Sequence, residues 1–221
     1  MKVALFDFDG TLYPGQTFNV MLKYLKEHPR YSKNYRRFMN RFRVVYIGYK
    51  LKLVSKDTMR TEAMKHYIYA FKDNTKDEIV QYFNELGNEI RQGLYQPLIE
   101  KVEALKTQNV YTMVISGAYT ELLQGILADD FDFLIGTKIP FKDNKIDTSD
   151  EILHMQSHAK VVEIKKHLED KDVDWANSYA FSDSITDLDM LQLVGNVYAV
   201  RPDDELREYA KVKRWEIISN E

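Results

Sequence analysis

Two aspartates, Asp7 and Asp9, stand two residues apart in the run Phe6-Asp7-Phe8-Asp9-Gly10-Thr11-Leu12, directly after the apolar stretch Val3 to Phe6. Carboxylates this close repel unless a cation, a proton or a donor compensates them. At roughly 4 Å and an effective dielectric of about 20, the repulsion reaches about 4 kcal/mol. A hard cation such as Mg²⁺ suits an all-oxygen site and lowers that cost. Gly10 permits a tight turn or the close approach of a ligand, and Thr11 adds a hydroxyl. Three other stretches carry complementary groups. Ser116 and Gly117 follow the apolar run VYTMVI and offer a hydroxyl and a backbone N–H to an oxyanion. Lys160, near the start of the helical pattern SHAKVVEIKKHL, offers a positive charge. Asp183 and Asp187 lie in FSDSITDLDML. Asp187 falls in the first turn of the helical pattern that follows, where it can accept backbone N–H bonds or hold a metal-bound water. Each feature has an ordinary counterpart: an acidic turn, a Ser-Gly turn, a solvated lysine and an acidic helix cap.

Taken with the elements that carry them, these groups converge. Val3 to Phe6 and Val110 to Ile115 read as buried strands, and Phe131 to Ile135, Trp175 to Phe181 and Asn196 to Val200 as three weaker ones. Helical patterns near 96–108, 119–128, 158–169 and 186–194 alternate with them. That alternation predicts an α/β fold with a Rossmann-like open parallel sheet. Ligands bind such sheets outside the carboxyl ends of the strands, where Asp7, Asp9, Ser116, Asp183 and Asp187 would meet. Acids for a cation, with a hydroxyl and a lysine for an anion, make an inventory suited to phosphate chemistry.

The stretch 15–93 breaks the rhythm, with helices expected near 17–28, 32–53, 56–71 and 75–91. It is too long for an ordinary loop, and reads as an all-helical cap inserted over the sheet edge. The chain therefore divides into core at 1–14, cap at 15–93 and core again at 94–221. Pro97 suits the first turn of the helix that resumes the core. The segment from Lys138 to Asp147, with Asp143-Asn144 at its centre, reads as a small β-hairpin.

Composition excludes whole classes. The 221 residues, 44% hydrophobic and 29% charged, are not those of a disordered or collagen-like chain. Cysteine is absent, which removes disulfides, a thiol nucleophile and thiolate metal sites. The N-terminal apolar run is cut short by Asp7, and no stretch approaches the length of a membrane span, so a cytoplasmic protein is expected. The net charge of -3 hides an asymmetry: ten Lys/Arg from Arg30 through Arg60 face one acid, Asp57, giving that segment +9 and the remainder -12. Such a segment reads as solvated helix faces with inward aromatics, as an attractor of an anionic substrate, or as a nucleic-acid or membrane-surface contact. His154 and His158 are four apart, but lack the companions of a two-histidine metal site and read as structural or surface residues.

At Asp7-Phe8-Asp9-Gly10-Thr11, Ser116, Lys160 and the pair Asp183/Asp187, the sequence resembles the haloacid dehalogenase-like phosphohydrolase superfamily. The helical insertion after the first motif looks like the cap of its phosphoserine-phosphatase-like branch. The resemblance implies a Mg²⁺-dependent phosphatase acting on a small phosphomonoester. Asp7 would form an aspartyl-phosphate and Asp9 would serve as acid and then base. The Asp7 carboxylate, the Asp9 carbonyl and Asp183 would hold Mg²⁺, with Asp187 supporting it or reaching it through water. Thr11, Ser116, Gly117 and Lys160 would receive the phosphoryl oxygens. Spacing alone leaves open which aspartate attacks. A phosphotransferase using the same intermediate, or a non-catalytic Mg²⁺-binding interaction protein, remain as alternatives, and a monomer and a homodimer are equally compatible.

Phosphoserine phosphatase itself is the narrower alternative. Its branch places a glutamate shortly after the first motif to meet the substrate amine, whereas the corresponding position here is Gln16, which carries no charge. Arg60 is the candidate for a substrate carboxylate.

Overall fold

The computed structural model describes residues 1–127, 129–152 and 154–219. Strand β1 (Val3–Phe6) is buried on both faces. Beside it lies β2 (Tyr111–Tyr119), pairing in parallel as Val3 with Tyr111 through Phe6 with Val114. On its other side lies β6 (Tyr179–Ser182), pairing as Ala4 with Tyr179 through Phe6 with Phe181. With β3 (Phe133–Thr137), β7 (Asn196–Val200) and β8 (Glu216–Ile218), they form one parallel sheet in the order β3-β2-β1-β6-β7-β8. The chain builds outward from β1 through β2 to β3, then returns to build β6, β7 and β8 on the opposite side. The loops after β1 and β6 therefore flank the point where strand order reverses, the usual ligand crevice of open α/β sheets.

Side chains alternate along β1, so each face of the sheet gains its own core. Val3 and Leu5 join Met113, Ile115 and Ala180 on one face, against α7 (His158–His167), α8 (Leu188–Leu191) and α9 (Asp204–Lys213). Ala4 and Phe6 join Val114 and Phe181 on the other, against α5 (Gln96–Thr107) and α6 (Thr120–Leu127). Phe6 stacks on Phe181 with ring centroids 4.4 Å apart.

Between β1 and α5 run four helices: α1 (Thr17–Glu27), α2 (Ser32–Lys50), α3 (Lys56–Tyr69) and α4 (Lys76–Arg91). They are the all-helical insertion, and α4 begins in a capping box in which Thr75 and Glu78 satisfy each other's backbone N–H. The insertion is seated where α4 crosses α6. A Cβ on Gly87 would lie 2.5 Å from the Gly125 carbonyl carbon, so the contact is backbone on backbone and admits no side chain there. Tyr67 seals the interior, its hydroxyl 2.7 Å from that of Tyr82 and donating to the Met21 carbonyl at 3.1 Å. At the sheet, the Tyr119 hydroxyl donates to the Met64 carbonyl and ties β2 to α3.

Several expected boundaries move. Strand β2 does not stop at Ser116; a register shift against β3 between Ile115 and Tyr119 carries it on to Tyr119. The strand expected at 175–181 begins only at Tyr179, after a 3₁₀ turn over Trp175–Asn177. The helix expected at 186–194 shortens to α8, preceded by a second 3₁₀ turn at Ile185–Asp187. Strand β8 and helix α9 were not anticipated. The hairpin is present as β4 (Phe141–Lys142) and β5 (Lys145–Ile146). Its turn residues Asp143 and Asn144 have φ of 50° and 61°, the left-handed pair of a type I′ turn.

Candidate active site

Asp7 is the first residue beyond β1, and its backbone N–H donates to the Phe181 carbonyl at 2.9 Å, which fixes the loop to the neighbouring strand. Asp7 is buried, with 7% of the residue exposed. Lys160, in the first turn of α7 and 4% exposed, donates to Asp7 Oδ1 at 2.6 Å and to Asp187 Oδ2 at 2.8 Å. Ser182, at the end of β6, also donates to Asp187 Oδ2 at 2.8 Å. Asp187 is thereby locked among Lys160 and Ser182. Burial pushes the Asp7 carboxyl well above the usual carboxylate range; Lys160 pulls it down, while Asp187 and Asp183 push it further up. Burial alone would discharge Lys160, but Asp187 and Asp7 more than offset it and hold the ammonium above its ordinary range.

Asp9 sits in a different environment. The Thr17 backbone N–H, at the start of α1, donates to Asp9 Oδ1 at 2.8 Å, and the Thr17 hydroxyl donates to Oδ2 at 2.9 Å. Burial raises the Asp9 carboxyl to about 6, against the opposing pull of Thr17, Lys160 and Arg60. Two carboxyls two residues apart thus have separate partners, a lysine for one and a helix start for the other.

Gly10 turns the chain directly after Asp9 with φ +86°, and a Cβ there would fall 2.0 Å from Asp183 Oδ2. No other residue type fits this position without displacing Asp183. Burial raises the Asp183 carboxyl to about 6, with Asp187 adding to the shift and Lys160 and Thr11 opposing it. The Thr11 hydroxyl is fully buried, 3.4 Å from both Asp7 Oδ2 and Asp183 Oδ1. It faces the acids and bridges them. Arg201 clamps the same turn, donating to the Gly10 carbonyl at 2.8 Å and the Thr11 carbonyl at 2.5 Å.

These groups open into a cavity of about 520 Å³ between the sheet edge and the helical insertion. Asp7, Asp9, Lys160, Asp183 and Asp187 line its floor, and Gln16, Arg60 and Gly117 also line it. Ser116 is buried behind Gly117 and Ala118, with its Oγ accepting from the Ala118 N–H at 3.1 Å. Phe18, Met21, Met59, Met64 and Met155 give the cavity an apolar side. His154 also lines it; burial, with Arg60 and Lys160 nearby, holds the imidazole down at about 4, so it is neutral at ordinary pH. His158 is exposed and pairs outside the cavity with Asp189 at 3.7 Å, so the two histidines do not share a site.

Thr17, Ser182, Arg201 and His154 were not singled out as site residues from sequence. The one local signal was at Thr17, the first helical residue after the acidic loop.

Among the described residues no group of three or more His, Asp or Glu side chains is arranged to enclose a metal ion. The donors still fit Mg²⁺. That ion is commonly held by one or two carboxylates, its remaining positions going to water and substrate phosphate. Asp7 and Asp183, bridged by Thr11, offer such a pair in an acid cluster that Lys160 alone does not neutralise.

Comparison with known proteins places the chain in a family. Residues 4–192 match the model of the haloacid dehalogenase-like hydrolases, and the chain belongs to that family. Among curated relatives, it is 26% identical over 168 residues to an inhibition of morphological differentiation protein of Streptomyces azureus, a match covering 73% of this chain and 60% of that one. It is 28% identical over 146 residues to a probable phosphatase of Mycobacterium tuberculosis, covering 63% of this chain and 50% of the other. The chain thus spans between half and three fifths of the length of these relatives. Among solved structures, a protein of unknown function from Bordetella pertussis superposes with a TM-score of 0.79 at 20% identity, covering 98% of this chain and 97% of that one. An aspartyl-phosphate analogue of phosphoserine phosphatase superposes at 0.64 and 17% identity, covering 100% and 93%. At these identities the structural likenesses establish the fold, including the phosphoserine-phosphatase-like insertion.

Proposed function

We propose that the protein is a Mg²⁺-dependent phosphatase that hydrolyses a small phosphomonoester through an aspartyl-phosphate on Asp7. The observation that carries this reading is the division of labour between the two loop carboxyls. Asp7 is paired with a buried lysine, while Asp9, raised by burial to about 6, takes its hydrogen bonds from Thr17. Carboxyls whose environments set them apart are suited to different roles in one reaction.

In the first step an Asp7 carboxylate oxygen bonds to phosphorus and the ester P–O bond breaks, while Asp9 gives its proton to the leaving oxygen. In the second, Asp9 takes a proton from water as that water attacks phosphorus, releasing inorganic phosphate and the Asp7 carboxylate. Lys160 offsets the charge of the phosphoryl oxygens, and Gly117, lining the cavity from β2 with Ser116 buried next to it, presents the backbone on which they rest. Asp187 keeps Lys160 aimed at Asp7. Asp7 and Asp183 would hold Mg²⁺, which supplies positive charge to the phosphoryl group.

The cavity supports a substrate other than phosphoserine. Gln16 lines it where a charge for an amine would be needed, and the wall of Phe18 and four methionines suits a partly apolar leaving group. Arg60 at the same cavity is placed to meet a second anionic group.

Phosphate release by the full chain with Mg²⁺, across phosphorylated amino acids, sugars, nucleotides and lipid headgroups, tests reaction and substrate together. The expected result is turnover of one class, lost with the metal. Asp7→Asn is expected to abolish the phosphoenzyme while leaving the fold intact, and substantial turnover by that variant would remove Asp7 as nucleophile. Phosphorylation of added alcohols in preference to water would establish the transferase instead. No release from any substrate, with ligand-dependent capture of a partner, would favour the non-catalytic alternative.

A further inference from the structure

Nine large apolar side chains are exposed among the described residues, and five of them, Val44, Tyr46, Ile47, Leu51 and Leu53, fall within ten consecutive positions. They occupy the C-terminal half of α2 and the turn that follows it. Val44 and Leu53 are 74% and 79% exposed. The N-terminal half of α2 explains why the helix forms here at all: Phe38 and Phe42 are buried and stack on each other with centroids 5.1 Å apart. Val44, Ile47 and Leu51 are spaced three and then four residues apart, so they share the face of α2 opposite Phe38 and Phe42. On the same helical spacing, Arg37 and Arg41 flank this apolar stripe on one side and Arg36, Arg43 and Lys50 on the other.

The turn beyond the helix is held in place by hydrogen bonds. Lys52 adopts φ 60°, and the Leu53 N–H donates to the Gly48 carbonyl at 2.9 Å, which turns Leu53 out beside Lys52. Arg37 pairs with Asp73 at 2.7 Å. Arg36, Arg41, Arg43, Lys50 and Lys52 have no carboxylate within 4.0 Å among the described residues. A stripe of aliphatic side chains between two rows of cations is thus presented to solvent.

We propose that this face of α2 and its turn dock the protein on an anionic lipid bilayer. Charge selects that occupant. A two-fold contact with a second copy would bring the same positive face against this one and be repelled. Single-stranded nucleic acid would satisfy the cations but gains its apolar contacts by stacking bases on rings. The outermost residues here are Val44, Ile47, Leu51 and Leu53, while Tyr46 already faces the Lys50 ammonium at 5.3 Å. An anionic bilayer meets both requirements, with headgroup charge for Arg and Lys and the acyl boundary for the aliphatic stripe. The docked turn leads into α3, where Met59 and Arg60 line the active-site cavity, so the mouth of that cavity is held near the headgroups.

The test is sedimentation of the full chain with phosphatidylcholine vesicles, with and without phosphatidylglycerol, at low and high salt. The protein is expected to cosediment with the anionic vesicles alone and to be released by salt. Ile47→Glu with Leu53→Glu, and separately Arg41→Glu with Arg43→Glu, are each expected to weaken retention by at least about tenfold. Both pairs are exposed, so thermal melting is expected to be unchanged. Equal retention on neutral vesicles, retention indifferent to the Ile47/Leu53 pair, or no retention on anionic vesicles would each overturn the proposal. So would binding to nucleic acid, or concentration-dependent dimerisation abolished by these variants, without vesicle binding.

Discussion

Replacing Lys160 by methionine keeps an unbranched side chain, one atom shorter, and removes the charge from between Asp7 and Asp187. Both acids are then buried with their shared cation gone. Asp187 keeps the Ser182 hydroxyl at 2.8 Å, whereas Asp7 is left with Thr11 at 3.4 Å. Breaking a buried ion pair from one side costs about 3–5 kcal/mol, because an uncompensated charge stays behind. For a chain of this length, that lowers Tm by about 6–20 °C. The loss is expected to depend on pH. The folded-state pKa of Asp7 is already raised, and Lys160 is the group that lowers it, so the variant raises it further. A carboxyl whose pKa is higher folded than unfolded binds more protons when folded, so stability falls as pH rises through the folded value. The deficit against wild type is therefore smaller near pH 5 than near pH 8. Lys160 itself adds no slope in this window, since its folded pKa is raised and its stabilisation is lost only at strongly alkaline pH. Urea melts of both proteins in chelator, at about pH 5 and about pH 8, measure the difference. Adding Asp187→Asn to the variant removes one of the two stranded charges and is expected to recover part of the loss, giving the coupling directly. A deficit below about 1 kcal/mol, or one equal at both pH values, would refute this balance of buried charges.

Two further changes probe the loop. Thr17→Val deletes the hydroxyl bond to Asp9 Oδ2 but keeps the backbone bond to Oδ1, so Asp9 is expected to rise by about one to two pH units. In the proposed mechanism Asp9 donates its proton in the first step, so the alkaline limb of kcat/KM is expected to move upward with it; an unmoved limb would show that Asp9 is not the acid. Gly10→Ala forces either the φ +86° turn or Asp183 to shift. Turnover is expected to drop by at least about a hundredfold with raised Mg²⁺ requirement, measured by phosphate release against metal concentration, and normal metal dependence would argue against Asp183 as a ligand.

The acids were legible in the sequence because local pattern carries them. Val3 to Phe6 is apolar on both faces and stops at Asp7, and Asn196 to Val200 begins and ends as its pattern says. What was not legible depends on partners distant in the chain. Arg201 reaches Gly10 from 191 positions away, and its own neighbourhood carries no mark of that contact. Strand β2 was expected to end at Ser116, but pairing with β3, which no local pattern encodes, carries it through an irregularity to Tyr119. The helix after Asp183 is shorter than its apolar spacing suggests. Its first turn is given to a 3₁₀ segment that delivers Asp187 to Lys160 and Ser182. Strand β8 is three residues long at the sheet edge, too short to show a period.

The basic stretch from Arg30 to Arg60 reads in sequence as one field of +9, yet in the folded chain its charges serve separate ends. Arg60 lines the cavity and lowers the pKa of both Asp9 and His154, so it acts on the site directly. Arg30 is spent on Glu78 and Arg37 on Asp73, ion pairs that brace the insertion. Arg36, Arg41, Arg43, Lys50 and Lys52 flank the exposed aliphatic stripe of α2 and its turn. Solvent-exposed charges are screened beyond a Debye length of about 8 Å at physiological salt, so a group must be near an acid to tune it. The two populations can therefore be separated by experiment. Arg60→Met is expected to alter the kinetics of an anionic substrate without releasing the protein from vesicles, and Arg41→Glu with Arg43→Glu to do the reverse. If both changes moved both readouts together, the basic segment would be acting as a single long-range field, and site and surface would not be separate.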